Sequence, residues 1–174
     1  SQPMVDQTLD LVLVFNGTIY NYKELRKALT NKGYKFFSHS DTEVIIKAYH
    51  FWGEGCVKKL DGMFAFCVWD KKKNQLFIAR DRMGIKPLYY SITDEAFSFA
   101  SNTQALMSIG ADNSINSLAL QQQLSLHAVI PAPNTILNGI KKIKPGTTIT
   151  IDSNFKVNEK TYWYPNATRP EENH

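Results

Sequence analysis

Apolar positions along this chain fall in short runs separated by polar corners, with helical periodicity appearing only in a few places. Leu9 to Phe15 (LDLVLVF) is an apolar, β-branched run of strand length, with both faces at least partly buried. Asn16-Gly17 follows it and reads as a tight turn that ends the strand. From Asn21 to about Lys32 the period changes: Leu25, Ala28 and Leu29 form an i, i+3, i+4 apolar face. Asn21 with Glu24 makes a capping arrangement at its start, and Asn31-Lys32-Gly33 is a stop. Tyr34 to Phe37 reads as a brief strand. Ser40-Asp41 then opens a second helix through about Trp52, with Val44, Ile45, Ala48 and Phe51 on one face.

Beyond Gly53-Glu54-Gly55 and a short helical segment from Cys56 to Leu60, hairpins dominate. Met63 to Asp70 and Gln75 to Arg80 flank the solvated tip Lys71-Lys72-Lys73-Asn74. A second strand pair covers Leu88 to Ser91 and Ala96 to Ala100. Helices are predicted over Thr103–Ile109 and Ser117–Leu126, then an extended loop at Pro131-Ala132-Pro133-Asn134. Closing strands lie near Thr147–Ile151 and Lys156–Tyr164. The polar tail 165–174 reads as a linker, so residues 1–164 form the one domain. Strands arriving as hairpins, with helices clustered between them, argue for an α+β sandwich over a doubly wound parallel sheet.

Composition narrows the function. Of 174 residues, 43% are hydrophobic and 21% charged, which is ordinary for a globular domain with a real core. The net charge of +4 is mild and no basic stripe is interleaved with aromatics, which disfavours nucleic acid as a partner. No apolar run reaches the ~20 residues of a membrane span, and no leader pattern opens the chain. Cys56 and Cys67 lack metal or redox spacing and read as buried thiols, so a reducing, cytoplasmic location is expected. The four histidines are dispersed, and no metal site or cofactor is expected in this domain. A chain that opens Ser1-Gln2-Pro3 without Met is expected to be a fragment or processed form.

Several strings, in order, resemble one family. "LVFNGTIYNYKELR", "SDTEVIIKAY", "LDGMFAFCVWD", "IARDRMGIKPLYY", "VIPAPNTILNGIKKIKPGT" and "YWYP" are similar to the N-terminal glutaminase domain of asparagine-synthetase-type class II glutamine amidotransferases. The resemblance runs from Gln2-Pro3-Met4 to Trp163. It implies a four-layer α-β-β-α sandwich of the N-terminal-nucleophile hydrolase type, here incomplete at its N-terminus. It also implies hydrolysis of glutamine to glutamate and ammonia, the ammonia passing to a C-terminal synthetase domain that uses ATP and Mg to amidate a carboxylate. Thr18 in place of the family's usual Glu, Ser101-Asn102 in place of Ser-Glu, and "LSLHAVIPAP" are similar to the branch that makes N-acetylglutaminylglutamine amide.

Carried over residue by residue, Asn16 and Gly17 match the oxyanion-hole pair. A side-chain amide and a backbone N–H on adjacent residues are suited to that task, although Asn-Gly alone is simply a turn. Asp41 matches the carboxylate that binds glutamine's α-ammonium group; its bland alternative is a helix cap. Thr18 falls beside the same pocket. Arg80-Asp81-Arg82 and Lys86-Pro87 read as an ion-pair network holding a loop. The family's nucleophile is an N-terminal Cys whose own α-amino group is the base. Neither Cys56 nor Cys67 matches it, and the Arg for glutamine's α-carboxylate also precedes Gln2 in the family. Ser1 is no substitute, since it aligns with a loop and Pro3 argues against a central strand there. This chain alone is therefore expected to be inactive, and its missing strands to leave sheet edges that self-associate into a homo-oligomer. The alternative is a non-catalytic scaffold or interaction module of the same fold.

Overall fold

Leu11, Leu13 and Phe15 are buried on one face of strand β2 (Leu11–Ile19), whereas Val14 and Asn16 on the other face stay open. That alternation sets the layering. The computed structural model describes residues 2–126 and 129–165. In chain order its remaining elements are β1 (Met4–Asp6), α1 (Tyr22–Thr30), α2 (Asp41–Trp52), β3 (Gly62–Asp70), β4 (Gln75–Arg80), β5 (Tyr89–Ile92), β6 (Phe97–Ala100), α3 (Thr103–Ser108), α4 (Ser117–Ser125), β7 (Lys141–Lys142), β8 (Thr147–Ile151) and β9 (Val157–Thr161). A 3-10 segment, Gly53–Lys58, follows α2.

Six antiparallel strands form one sheet in the order β1-β2-β3-β4-β8-β9, and three form a second in the order β6-β5-β7. Three apolar interfaces stack these sheets and helices. The first lies between α1 and α2 and the large sheet, where Leu29, Ile45 and Tyr49 meet Leu13, Phe66 and Phe77. Tyr49 stacks on Phe77 with ring centroids 5.1 Å apart. The second lies between the sheets, where Ala65, Cys67, Ile78 and Ile149 meet Leu88 and Tyr90. The third puts Leu106 of α3 against Ile140, Tyr89 and Ala100. The order is therefore α-β-β-α, as the resemblance implies. β3 is apolar along its length because both of its faces are covered, which is why its run shows no alternation.

Several local expectations are overturned. Asn16-Gly17 is no corner: β2 runs on to Ile19, with Asn16 opposite Ala65, Gly17 opposite Phe64 and Thr18 opposite Met63. Gly17 sits at φ +148°, and a Cβ there would lie 2.1 Å from the Met63 carbonyl oxygen. Gly62 repeats the arrangement from the facing strand, at φ +155° and 2.2 Å from the Thr18 carbonyl. The two glycines let the strands close on each other where side chains would hold them apart.

Tyr34–Phe37 forms no strand, because the amides of Phe37 and Ser38 are taken by the Glu43 carboxylate at 2.9 and 2.7 Å. Asn21 precedes α1 but does not cap it with its side chain; instead its amide donates to Lys59 O and accepts from Asp61 N. Phe51 is 41% exposed, and Ile46 and Tyr49 are buried in its stead. The expected last strand, 156–164, ends at Thr161. Met4–Asp6 was not legible as a strand; it is an edge strand three residues long. Among the described residues no helix is long and apolar enough to cross a membrane. Ser1, His127 and residues 166–174 of the expected tail lie outside the described residues.

Candidate active site

The hydrogen-bond parity of β2 decides what its outer edge offers. The Phe64 N–H donates to Asp81 Oδ2 and the Phe64 C=O accepts from the Asp81 N–H, both on the β4 side of β3. The Gly17–Phe64 pair is thus a non-hydrogen-bonded one, and Gly17 turns its N–H and C=O away from β3. The same parity holds for Leu13, Phe15 and Ile19. Leu13 faces Met4 of β1, where the β1 ladder stops. The Phe15 N–H donates to Gln2 Oε1 at 2.9 Å, and Gln2 Nε2 donates to the Phe15 carbonyl at 2.5 Å. The Ile19 N–H donates to Asp41 Oδ2 at 3.0 Å. Between those two fixed points the Gly17 N–H faces the open edge, with no partner among the described residues.

Asp41 reaches that edge because it is not the cap of α2. Ser40 is: its hydroxyl accepts from Glu43 N at 3.3 Å. The buried Glu43 holds the incoming loop through Phe37, Ser38 and the Ser38 hydroxyl. The Asp41 carboxylate is left with one oxygen on Ile19 and the other available.

Asn16 and Thr18 project from the same face of β2, the one toward the second sheet. Asn16 lines a hollow of about 350 Å³ between the sheets, with Gln2, Val14, Cys67, Leu88 and Phe99 among its walls. Gly17, Thr18 and Asp41 lie outside that lining, farther along the strand end. The structure thus brings all four expected site residues to one end of β2, Asp41 through its bond to the Ile19 N–H.

Neither cysteine suits a nucleophile. Cys56 is fully buried, and burial pushes its thiol up to about 12; Cys67 is 3% exposed, and burial raises its thiol as well. Among the described residues no group of three or more His, Cys, Asp or Glu could hold a metal ion. The Arg80-Asp81-Arg82 segment does hold a loop, but among the described residues it does so through backbone groups and not ion pairs. Asp81, 1% exposed, accepts from the amides of Phe64, Met83, Ile85 and Lys86. Arg80 donates to the carbonyls of Lys86, Gly84 and Ile143. Asp81 thereby fixes the strand position opposite Gly17. Sequence reasoning missed Gln2 and underrated Asp81; a buried-type Asp amid a Gly-Pro loop was the one available sign for the latter.

The α-β-β-α order of layers is that of the N-terminal-nucleophile hydrolase fold. The chain belongs to the glutamine amidotransferase domain family, whose model matches residues 1–163. It is 42% identical over 165 residues to glutamine-hydrolysing asparagine synthetase 1 of Bacillus subtilis strain 168, covering 95% of this chain and 26% of that protein. It is 35% identical over 161 residues to a putative glutamine-hydrolysing asparagine synthetase 2 of Methanocaldococcus jannaschii, covering 89% and 30%. The chain therefore spans between a quarter and a third of the length of these relatives. In fold it is similar to a glutamine phosphoribosylpyrophosphate amidotransferase from B. subtilis, with a TM-score of 0.66 and 20% identity, covering 94% of this chain and 32% of that one.

Proposed function

We propose that residues 16–18 and Asp41 bind L-glutamine, and that the protein to which this chain belongs hydrolyses it to glutamate and ammonia. Attack on the side-chain amide turns its carbonyl oxygen into an oxyanion, which needs donors fixed in advance. Asn16 Nδ2 and the Gly17 N–H are those donors. Asp41 takes the α-ammonium group with its available oxygen, while its other oxygen stays on Ile19. The attacking thiolate, its α-amino base and the Arg for the α-carboxylate come from residues outside this sequence. Ammonia then serves a synthetase region that uses ATP and Mg to amidate a carboxylate, in the cytoplasm and within a homo-oligomer. The observation that carries the reading is the Gly17 N–H, without a partner among the described residues and held between Phe15 and Ile19, with Asn16 facing the cleft.

A substrate lacking the α-amino group tests it. In the longer protein containing this sequence, Asp41→Asn should lower kcat/KM for glutamine by roughly 10- to 150-fold, the ~1.5–3 kcal/mol of a hydrogen bond to a charged group. The same change should leave hydrolysis of 4-carbamoylbutanoate, which has no α-ammonium, close to its starting rate. Equal losses on both substrates would place Asp41 away from the ammonium group.

A further inference from the structure

We infer that Gln2 is a positioning residue for this site: its side-chain amide stands in for a strand backbone beside Phe15 and so sets where Asn16 and Gly17 point. The inference rests on the reading of Asn16 and Gly17 as oxyanion donors. Extended by two residues, the register that pairs Met4 with Leu13 would place residue 2 opposite Phe15. The pairing of β1 with β2 ends at Met4, so the Gln2 backbone does not continue it. The Gln2 side chain completes it, since a primary amide carries one donor and one acceptor side by side, as a backbone pair does. Both of its bonds go to Phe15, at 2.5 and 2.9 Å.

The effect falls on the next two residues. Gly17 has no Cβ, and among the described residues its N–H has no partner to hold it. It is aimed by what fixes its neighbours. On the β3 side these are the Asn16–Ala65 and Thr18–Met63 pairs; on the open side they are Gln2 at Phe15 and Asp41 at Ile19. Gln2 also lines the same hollow as Asn16. Because Gln2 is itself exposed, water can take over the Phe15 groups once the amide is gone. The fold then persists while the geometry loosens, which separates positioning from simple stabilisation.

Two variants and two readouts test this. In the 174-residue chain, Gln2→Ala should speed amide hydrogen exchange at Phe15 by about 10-fold or more, leaving Leu13 unchanged, because only the local restraint is lost. In the longer protein, Gln2→Ala should lower kcat for glutamine by roughly 10- to 100-fold with KM nearly constant, as for a small misplacement of reacting groups. Gln2→Glu supplies the conservative rescue. Its carboxylate accepts from the Phe15 N–H but repels the Phe15 carbonyl, whereas the protonated carboxyl donates there. Its kcat relative to wild type should therefore rise as pH falls toward the ordinary Glu value of ~4.3, and Gln2→Ala should show no such rise. Wild-type kcat in Gln2→Ala, alongside a lost kcat in Asn16→Ala, would overturn the role of Gln2 alone. Wild-type kcat in both would overturn the oxyanion reading as well.

Discussion

Replacing Gly17 by Ala asks whether the strand end exists because the backbones of β2 and β3 touch there. The new Cβ would sit 2.1 Å from the Met63 oxygen and 2.8 Å from the Phe64 Cα, both backbone atoms that no rotamer change can move. Contacts below 3.0 Å essentially do not occur for real Cβ atoms, so the strands must part by about 1 Å. That is enough to disrupt the ladder bonds of the adjacent Asn16–Ala65 and Thr18–Met63 pairs. Losing two of the four bonds of those pairs costs roughly 1–3 kcal/mol, and an L-residue forced to φ near +148° adds about 1–3 kcal/mol. The expected cost is therefore ~2–6 kcal/mol, a fall in Tm of roughly 5–20 °C for a domain of this size. Gly55 is the control, since nothing lies within 4 Å of a Cβ built there. Gly55→Ala should stay within about 1 kcal/mol of the parent chain. Urea unfolding of all three proteins, followed by circular dichroism, measures the difference. A Gly17→Ala chain as stable as Gly55→Ala would refute the close-approach argument.

The buried ion pair between Lys47 and Asp6 gives a second expectation. Both side chains are at most 6% exposed, so Lys47→Met should cost about 3–5 kcal/mol in urea unfolding at pH 7 by stranding the Asp6 carboxylate. Burial pushes Asp6 up, but the Lys47 ammonium and the Thr8 and Leu9 contacts outweigh it and hold the carboxyl below its ordinary value. The stability that the pair contributes is present above the unfolded value of ~3.9 and is lost as pH falls through the folded one, so the deficit of Lys47→Met should shrink below about pH 4; a deficit independent of pH would remove Asp6 from the account. The buried thiols give a third: native protein at pH 8 should leave Cys56 and Cys67 unreacted with a disulfide reagent, and denatured protein should titrate both. Rapid native labelling at either position would contradict their burial.

The hairpin of β3 and β4 was legible because its two apolar runs flank a lysine-rich tip, and the sandwich followed from hairpins with helices between them. What the residues alone could not give depends on contacts distant in sequence. Asn16-Gly17 follows the turn rule at the level of the dipeptide, yet Gly17 answers to Met63, 46 positions away. Phe51 was misplaced because α2 is buried over most of its circumference, Glu43 and Lys47 included, so an apolar stripe does not single out its inner face. Gln2 carries no local sign of its role; its partner is fixed only by the register of β1 against β2. The identities of the site residues came from the family resemblance. Their arrangement on one strand edge came from ladder parity, which no sequence pattern displays.

The most direct test of the proposal that this strand end binds glutamine is the turnover of Asn16→Ala in the protein to which this chain belongs. Loss of one preorganised oxyanion donor should lower kcat by roughly 100- to 1,000-fold, with KM for glutamine changed far less, because the donor acts on charge that develops only in the transition state. Ammonia release followed with a coupled glutamate assay reads both constants. Turnover at the wild-type rate, with the protein folded, would contradict the assignment of Asn16 and Gly17 to the oxyanion.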